Sequence, residues 1–225
     1  MTVRPDGVPF QRAWFAQVDK VREAQNTFVK IWVKPINLTY FGQASNPNYL
    51  LASEPDALVR ADAEAIANYM HRRLVKTITS SDKLGLTVVE QAGEKTFVIE
   101  VALIELHPTL RGLKIISDLG GFFLPGSVLV STAVTAGASA AADPLANGSI
   151  AIEMKWSNGE TGELLAEMAD RRDDRAAVLI NVEDFTRYGY ARMNIDDWAN
   201  ELVEFLSTPV DHSVTAAPPF TVFLW

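Results

Sequence analysis

Residues Ser149 to Arg172 read SIAIEMKWSNGETGELLAEMADRR, and the pattern in this stretch decides the fold class. Ile150, Ile152, Met154 and Trp156 alternate with Ala151, Glu153 and Lys155. That period of two places the bulky apolar side chains on one face of a β-strand. Ser157 to Gly162 supplies residues that hydrogen-bond locally and tolerate positive φ, as a tight turn requires. The return strand is expected to carry Leu164, Ala166 and Met168 on one face, with Glu163, Leu165 and Glu167 on the other. A hairpin with one apolar face must be covered by another layer, so the rest of the chain has to supply helices and further strands.

The sequence before the hairpin supplies them. Residues 28–36 (FVKIWVKPI) predict a strand with Val29, Ile31 and Val33 on one face, closed by Pro35. Residues 56–79 predict a long helix, because Ala57, Leu58, Ala61, Ala65, Ile66, Tyr69, Met70, Leu74 and Ile78 recur at three-to-four spacing. Ser53-Glu54-Pro55-Asp56 offers its capping side chains. Leu84 to Glu90 predicts a strand. Lys95 to His107 predicts a longer one, apolar on both faces and therefore expected to be covered on both sides. Residues 109–148 are irregular, and the small-residue run from Ser127 to Ala142 fits a helix or a strand equally.

After the hairpin, Asn194 or Asp196 is expected to cap a last helix from Ile195 to Ser207, its inner face formed by Ile195, Trp198, Leu202, Phe205 and Leu206. The expected fold is a single α+β or α/β domain over residues 28–207: a mixed sheet with a prominent hairpin, packed by one long and one shorter helix. Residues 1–27 are expected as a lead-in followed by an arm or short helix, and residues 208–225 as a tail.

Composition excludes several function classes. The 225-residue chain carries a formal net charge of −8. An acidic surface repels nucleic acid and anionic lipid, so neither is an expected partner. The short basic clusters His71-Arg72-Arg73 and Arg171-Arg172 read as solvated faces. There is no cysteine, which removes disulfides, thiolate metal sites and thiol catalysis. No apolar run approaches the roughly 20 residues a membrane-spanning helix needs.

The chemistry-bearing residues are scattered. His71, His107 and His212 lack metal-ligand spacing, and no phosphate-binding or nucleophile-elbow pattern occurs. Asp173/Asp174 and Asp196/Asp197 are sequence neighbours, so their side chains diverge. Glu100 and Glu105 interrupt an apolar strand and are expected on opposite faces, with His107 sharing a face with Glu105 alone. No catalytic, cofactor-binding or metal-binding residue is assigned, and no cofactor is expected. The aromatics of the loops and tail are the candidate interaction surface: Tyr40, Phe41 and Tyr49; Phe185, Tyr188 and Tyr190; and Phe220, Phe223 and Trp225.

At the hairpin the sequence resembles a family of bacterial lipoproteins, domain of unknown function 3313. The shared pattern is an apolar-Glu-apolar strand, a Thr-Gly-Glu turn, and a small-residue strand ending in Asp-Arg-Arg. KIWVKPI and IDDWANELVEFL fit it as well, so the resemblance runs from Val29 to Leu206. It implies a precursor with a signal peptide and a lipid-bearing cysteine ahead of a periplasmic domain held at the outer membrane. It implies no activity and no catalytic residues.

Three functions are weighed. The first is a non-enzymatic module that binds another envelope protein or a second copy of itself, touching the membrane only through its lipid anchor. The second is a small-molecule or lipid-binding domain with Leu113 to Leu129 lining a pocket. The third is a hydrolase built on Glu100 or Glu105 with His107.

Overall fold

The computed structural model describes residues 8–42, 56–107, 148–173, 188–208 and 214. Within them a six-stranded mixed sheet has the order β1-β6-β5-β4-β2-β3. Its strands are β1 (Arg12–Phe15), β2 (Lys30–Val33), β3 (Thr87–Val88), β4 (Thr96–His107), β5 (Ser149–Asn158) and β6 (Leu164–Asp173). The helices are α1 (Val18–Thr27), α2 (Asp56–Thr79) and α3 (Gly189–Ser207).

The hairpin forms as its alternation dictates along β5, but the register shifts between Trp156 and Ser157, and Leu165, expected on the outer face with Glu163 and Glu167, is buried in the core. β5 and β6 pair antiparallel from Ser149↔Asp173 to Ser157↔Leu164, and Gly162 takes φ 73° in the turn. Ile150, Ile152, Met154 and Trp156 are all buried on one face. Ala166 and Met168 continue that face on β6. β4 pairs antiparallel with β5 and parallel with β2, and the parallel β2–β3 pair is joined through α2.

α2 and α3 cover the apolar face. The guanidinium of Arg192 lies over the Tyr69 ring, and Arg73 pairs with Asp196. Both contacts keep the same sequence offset, so the two helices run side by side in the same direction. Met70, Leu74 and Ile78 of α2 and Ile195, Trp198 and Leu202 of α3 are buried against the strands. At the far end Phe205 stacks on Phe15 and Trp156, which binds α3 to the sheet there.

Five further expectations are adjusted. Of the residues expected as a lead-in and an arm or short helix, Val18–Thr27 form the helix α1, and Arg12–Phe15 add an edge strand, β1, that was not expected. The strand at 28–36 is shorter, and alternation stops before Lys30, so Val29 is half exposed while Phe28 packs on Phe97. Only Thr87 and Val88 of the stretch 84–90 are paired. The last helix begins at Gly189, with Tyr188 at its N-cap; Asn194 and Asp196 are inside it. Finally, β4 carries a bulge between Leu103 and Glu105. One extra residue reverses the alternation, so Glu105 and His107 come to the same face as Glu100, the face opposite the helices.

On that face the 158–162 turn covers only the start of β4: Gly159 N donates to the Thr96 carbonyl at 2.8 Å, close against Val98. Among the described residues no helix lies over the remainder. Among the described residues, cover on both sides of the strand is therefore seen at that end.

Candidate functional site

The polar groups of the chain converge where β4 and β6 end and β5 begins. Alternation along β6 splits the Asp-Arg-Arg stretch between the two faces of the sheet. Arg171 and Asp173 point to the face opposite α2 and α3, which no described helix covers, and Asp170 and Arg172 point under α3.

On the helix-free face, Glu105 and Arg171 flank Ala151 from either side. Arg171 Nη2 lies 3.0 Å from Glu105 Oε1, and its Nη1 lies 2.5 Å from Asp173 Oδ1. The Ser149 hydroxyl donates to Glu105 Oε1 at 2.5 Å, and His107 Nε2 is 3.4 Å from the same oxygen. Burial alone would raise the Glu105 pKa. The hydrogen bonds from Ser149 and Arg171, with the charge of Arg171, outweigh it and hold the carboxyl below its ordinary value. Burial lowers the His107 pKa, and Arg171 adds to this against the opposing pull of Glu105. His107 is therefore neutral at pH 7, and its contact with Glu105 is not an ion pair. Glu100 does not join the cluster. It sits opposite Lys155, four residues along β5 from Ala151, and pairs with Lys34 at 2.6 Å.

Under α3, Asp170 Oδ2 accepts from Trp198 Nε1 at 2.7 Å and from Arg172 Nε at 2.8 Å. Arg172 Nη2 donates to Glu201 Oε2 at 2.5 Å. The Arg172 side chain is 12% exposed, so the expectation of a solvated Arg171-Arg172 pair holds for Arg171 alone. Asp196 and Asp197 diverge as expected. Asp196 takes Arg73 and the Tyr69 hydroxyl, while Asp197 faces Arg172 at 3.9 Å.

The aromatic candidates separate into three kinds. Tyr190 is buried at 4% exposure. Its hydroxyl donates to the carbonyl of Ser149 at 2.8 Å and to that of His107, clipping the ends of β4 and β5 together. It is a structural residue and no part of a surface. Phe41 and Tyr188 are partly buried against the core. Tyr40 stands out at 55% exposure. The turn that carries it is tied to β4, where Gly42 N bonds to the Ile104 carbonyl at 3.1 Å. Tyr49, Phe185, Phe220, Phe223 and Trp225 lie outside the described residues, as do Leu113 to Leu129.

The profile of a family described as "Protein of unknown function (DUF3313)" matches residues 15–202. The chain belongs to the DUF3313 family. No curated protein matches it. Among solved structures it is similar to the PelC dodecamer from Paraburkholderia phytofirmans, at 10% identity and a TM-score of 0.36, covering 84% of this chain and 91% of that one. A leucine-to-methionine variant of that dodecamer gives 9% identity and a TM-score of 0.35, over 82% and 90% of the two chains. A likeness at that level says nothing of function.

In this DUF3313 domain, the sequence reading missed both clusters. The signal for the inner one was present: positions 170 and 172 continue the buried face of Ala166 and Met168, so a charge there has to be paired. The outer cluster depends on the bulge, which nothing in TFVIEVALIELH announces.

Proposed function

We propose that this DUF3313 domain acts by binding another protein of the bacterial envelope, with no chemistry of its own. The observation that carries the reading is Tyr40. It is the most exposed large apolar side chain among the described residues, at the same sheet end as Arg171, whose side chain is 48% exposed. Accessible tyrosine and arginine are residue types that binding hot spots favour. The polar cluster around Glu105 supports binding over hydrolysis. Ser149 gives its proton to a carboxylate held ionised, and His107 touches that same carboxylate, so hydroxyl, imidazole and acid do not line up as nucleophile, base and orienting group.

In this reading a lipid anchor on the precursor holds the domain on the periplasmic side of the outer membrane, as the family resemblance implies. The test has two parts. A palmitate analogue fed to cells making the full-length precursor should label it, and the label should fractionate with the envelope. Capture from those cells after crosslinking should recover a discrete partner with the native chain, and at least about tenfold less with Tyr40→Ala. An unlabelled precursor in the cytoplasmic fraction overturns the localisation. Equal recovery with Tyr40→Ala overturns the surface.

A further inference from the structure

Two stretches that carry the family resemblance, Asp170-Arg171-Arg172 and Ile195 to Leu206, are far apart in sequence and meet in one buried network. Asp170 belongs to the sheet and Trp198 to the helix, and a single carboxylate oxygen, Asp170 Oδ2, accepts from Trp198 and from Arg172. The Arg172 guanidinium then lies over the Trp198 ring, 5.1 Å from its centroid, and reaches the next helical turn at Glu201. On its other side Asp170 Oδ1 accepts from the Gln11 backbone N–H at 3.3 Å, so the network also ties in the edge of the sheet beside β1.

Beyond the pairing of Asp196 with Arg73 and Tyr69, the Arg192–Tyr69 contact and the hydroxyl of Tyr190, the remaining described contacts of α3 are apolar. Ala191, Ile195, Ala199 and Leu202 are fully buried, and Val203 is nearly so. Such contacts have little directional preference, so direction comes from the hydrogen-bonded groups. A shift of one residue along the helix turns each side chain by about 100° and moves it about 1.5 Å. The two hydrogen bonds that tie charged side chains of β6 to α3, Asp170 with Trp198 and Arg172 with Glu201, could not survive it. The network also has a cost. Arg172 Nη1 and Asn194 Oδ1 are buried without a hydrogen-bond partner, and buried ion pairs commonly contribute less than an apolar replacement of the same volume.

We propose that Asp170, Arg172 and Glu201 form a register lock for α3. They hold it in one rotation and one axial position on the sheet, and stability from burial comes from elsewhere. The lock matters at the sheet end because Tyr190, in the first turn of α3, clips His107 and Ser149 only in that register. It holds whatever the Tyr40 surface binds.

The test compares Arg172→Met with the triple variant Asp170→Leu/Arg172→Met/Glu201→Leu, both in the full chain. Arg172→Met removes the cation from beside two buried carboxylates and should lower the folding equilibrium constant at least about a hundredfold in urea titration. The triple variant should recover a midpoint at or above that of the native chain. Its Trp198 indole N–H, assigned by Trp198→Phe, should split into several resonances, and its near-UV circular dichroism should weaken. A triple variant with one sharp Trp198 resonance at native near-UV amplitude would overturn the lock. So would a triple variant that does not fold, since the network would then supply stability and not register.

Discussion

Adding one methyl group at Gly148 should cost this domain a large part of its stability, and the structure says through which neighbour. A Cβ at position 148 would lie 2.5 Å from Tyr190 Cε1, 2.7 Å from Cζ and 2.9 Å from Cδ1. Carbon atoms rest at about 3.5–4.0 Å, so the ring must retreat by about 1 Å. It has nowhere easy to go. The ring is buried, it stands in the first turn of α3, and its hydroxyl is held by the carbonyls of Ser149 and His107. Overpacking of this kind costs about 1–3 kcal/mol, and losing the phenol contact adds about 1 kcal/mol.

Tyr190→Phe keeps the ring and removes only the hydroxyl. A phenol has a single proton to share between the two carbonyls, so the expected cost is about 1–2 kcal/mol, not two full hydrogen bonds. In the double variant the phenol contact is already gone. The combined loss should therefore fall short of the two single losses by about 1 kcal/mol. Urea denaturation followed by tryptophan fluorescence, with unchanged slopes as the check on two-state behaviour, measures all four corners of the cycle. Gly148→Ala within about 0.5 kcal/mol of the native chain, or strict additivity in the double variant, would refute the placement of the ring.

Two further outcomes follow from the charges. The folded pKa values of His107 and Glu105 both lie below their ordinary values of 6.5 and 4.5, so in each case the folded state binds fewer protons than the unfolded one. Their contributions are fully present at higher pH and are lost on acidification. For His107 the loss begins as pH falls through 6.5 toward its folded value, and for Glu105 it begins as pH falls through 4.5. His107→Gln should flatten the stability profile just below pH 6.5, and Glu105→Gln should flatten it below about pH 4.5 while lowering the His107 pKa further and so steepening the profile below pH 6.5; unchanged profiles would count against the cluster. By contrast Lys155 and Glu167 approach at 3.4 Å on the exposed face, with side chains 60% and 42% exposed, so Lys155→Ala should leave the urea midpoint within about 0.5 kcal/mol of the native value.

Much of the fold was legible because it rests on period. The hairpin's inward row from Ile150 to Trp156 and the later part of the α2 stripe, Ile66, Met70, Leu74 and Ile78, follow from side chains repeating at the spacing of their element, whereas Ala61 and Ala65 are exposed and Ala63 and Ala67 are buried instead. α2 starts and stops at the residues its sequence predicts. What the sequence hid were places where the period breaks. The bulge at Ile104 turns Glu105 and His107 to the other face. The first turns of α3, Gly189 to Asn194, carry Tyr190, Ala191 and a buried asparagine, which do not read as a start. β1 is four residues long and is a strand only because β6 pairs with it.

The site was less legible than the fold. Arg171 and Arg172 are adjacent and both basic, yet one is half exposed and the other sits among Asp170, Trp198 and Glu201. Only the phase of β6 separates them, and that phase could have been counted outward from Ala166 and Met168. Tyr190 read as a loop aromatic because the helix was expected to begin after it.

A photocrosslinking amino acid placed at position 40 of the full-length precursor, in its native cells, tests the binding role most directly. Position 68, exposed on α2, serves as the control. The account predicts a discrete protein adduct from position 40, absent from position 68 and recovered in the envelope fraction. No protein adduct at position 40, or the same adducts from both positions, would contradict it.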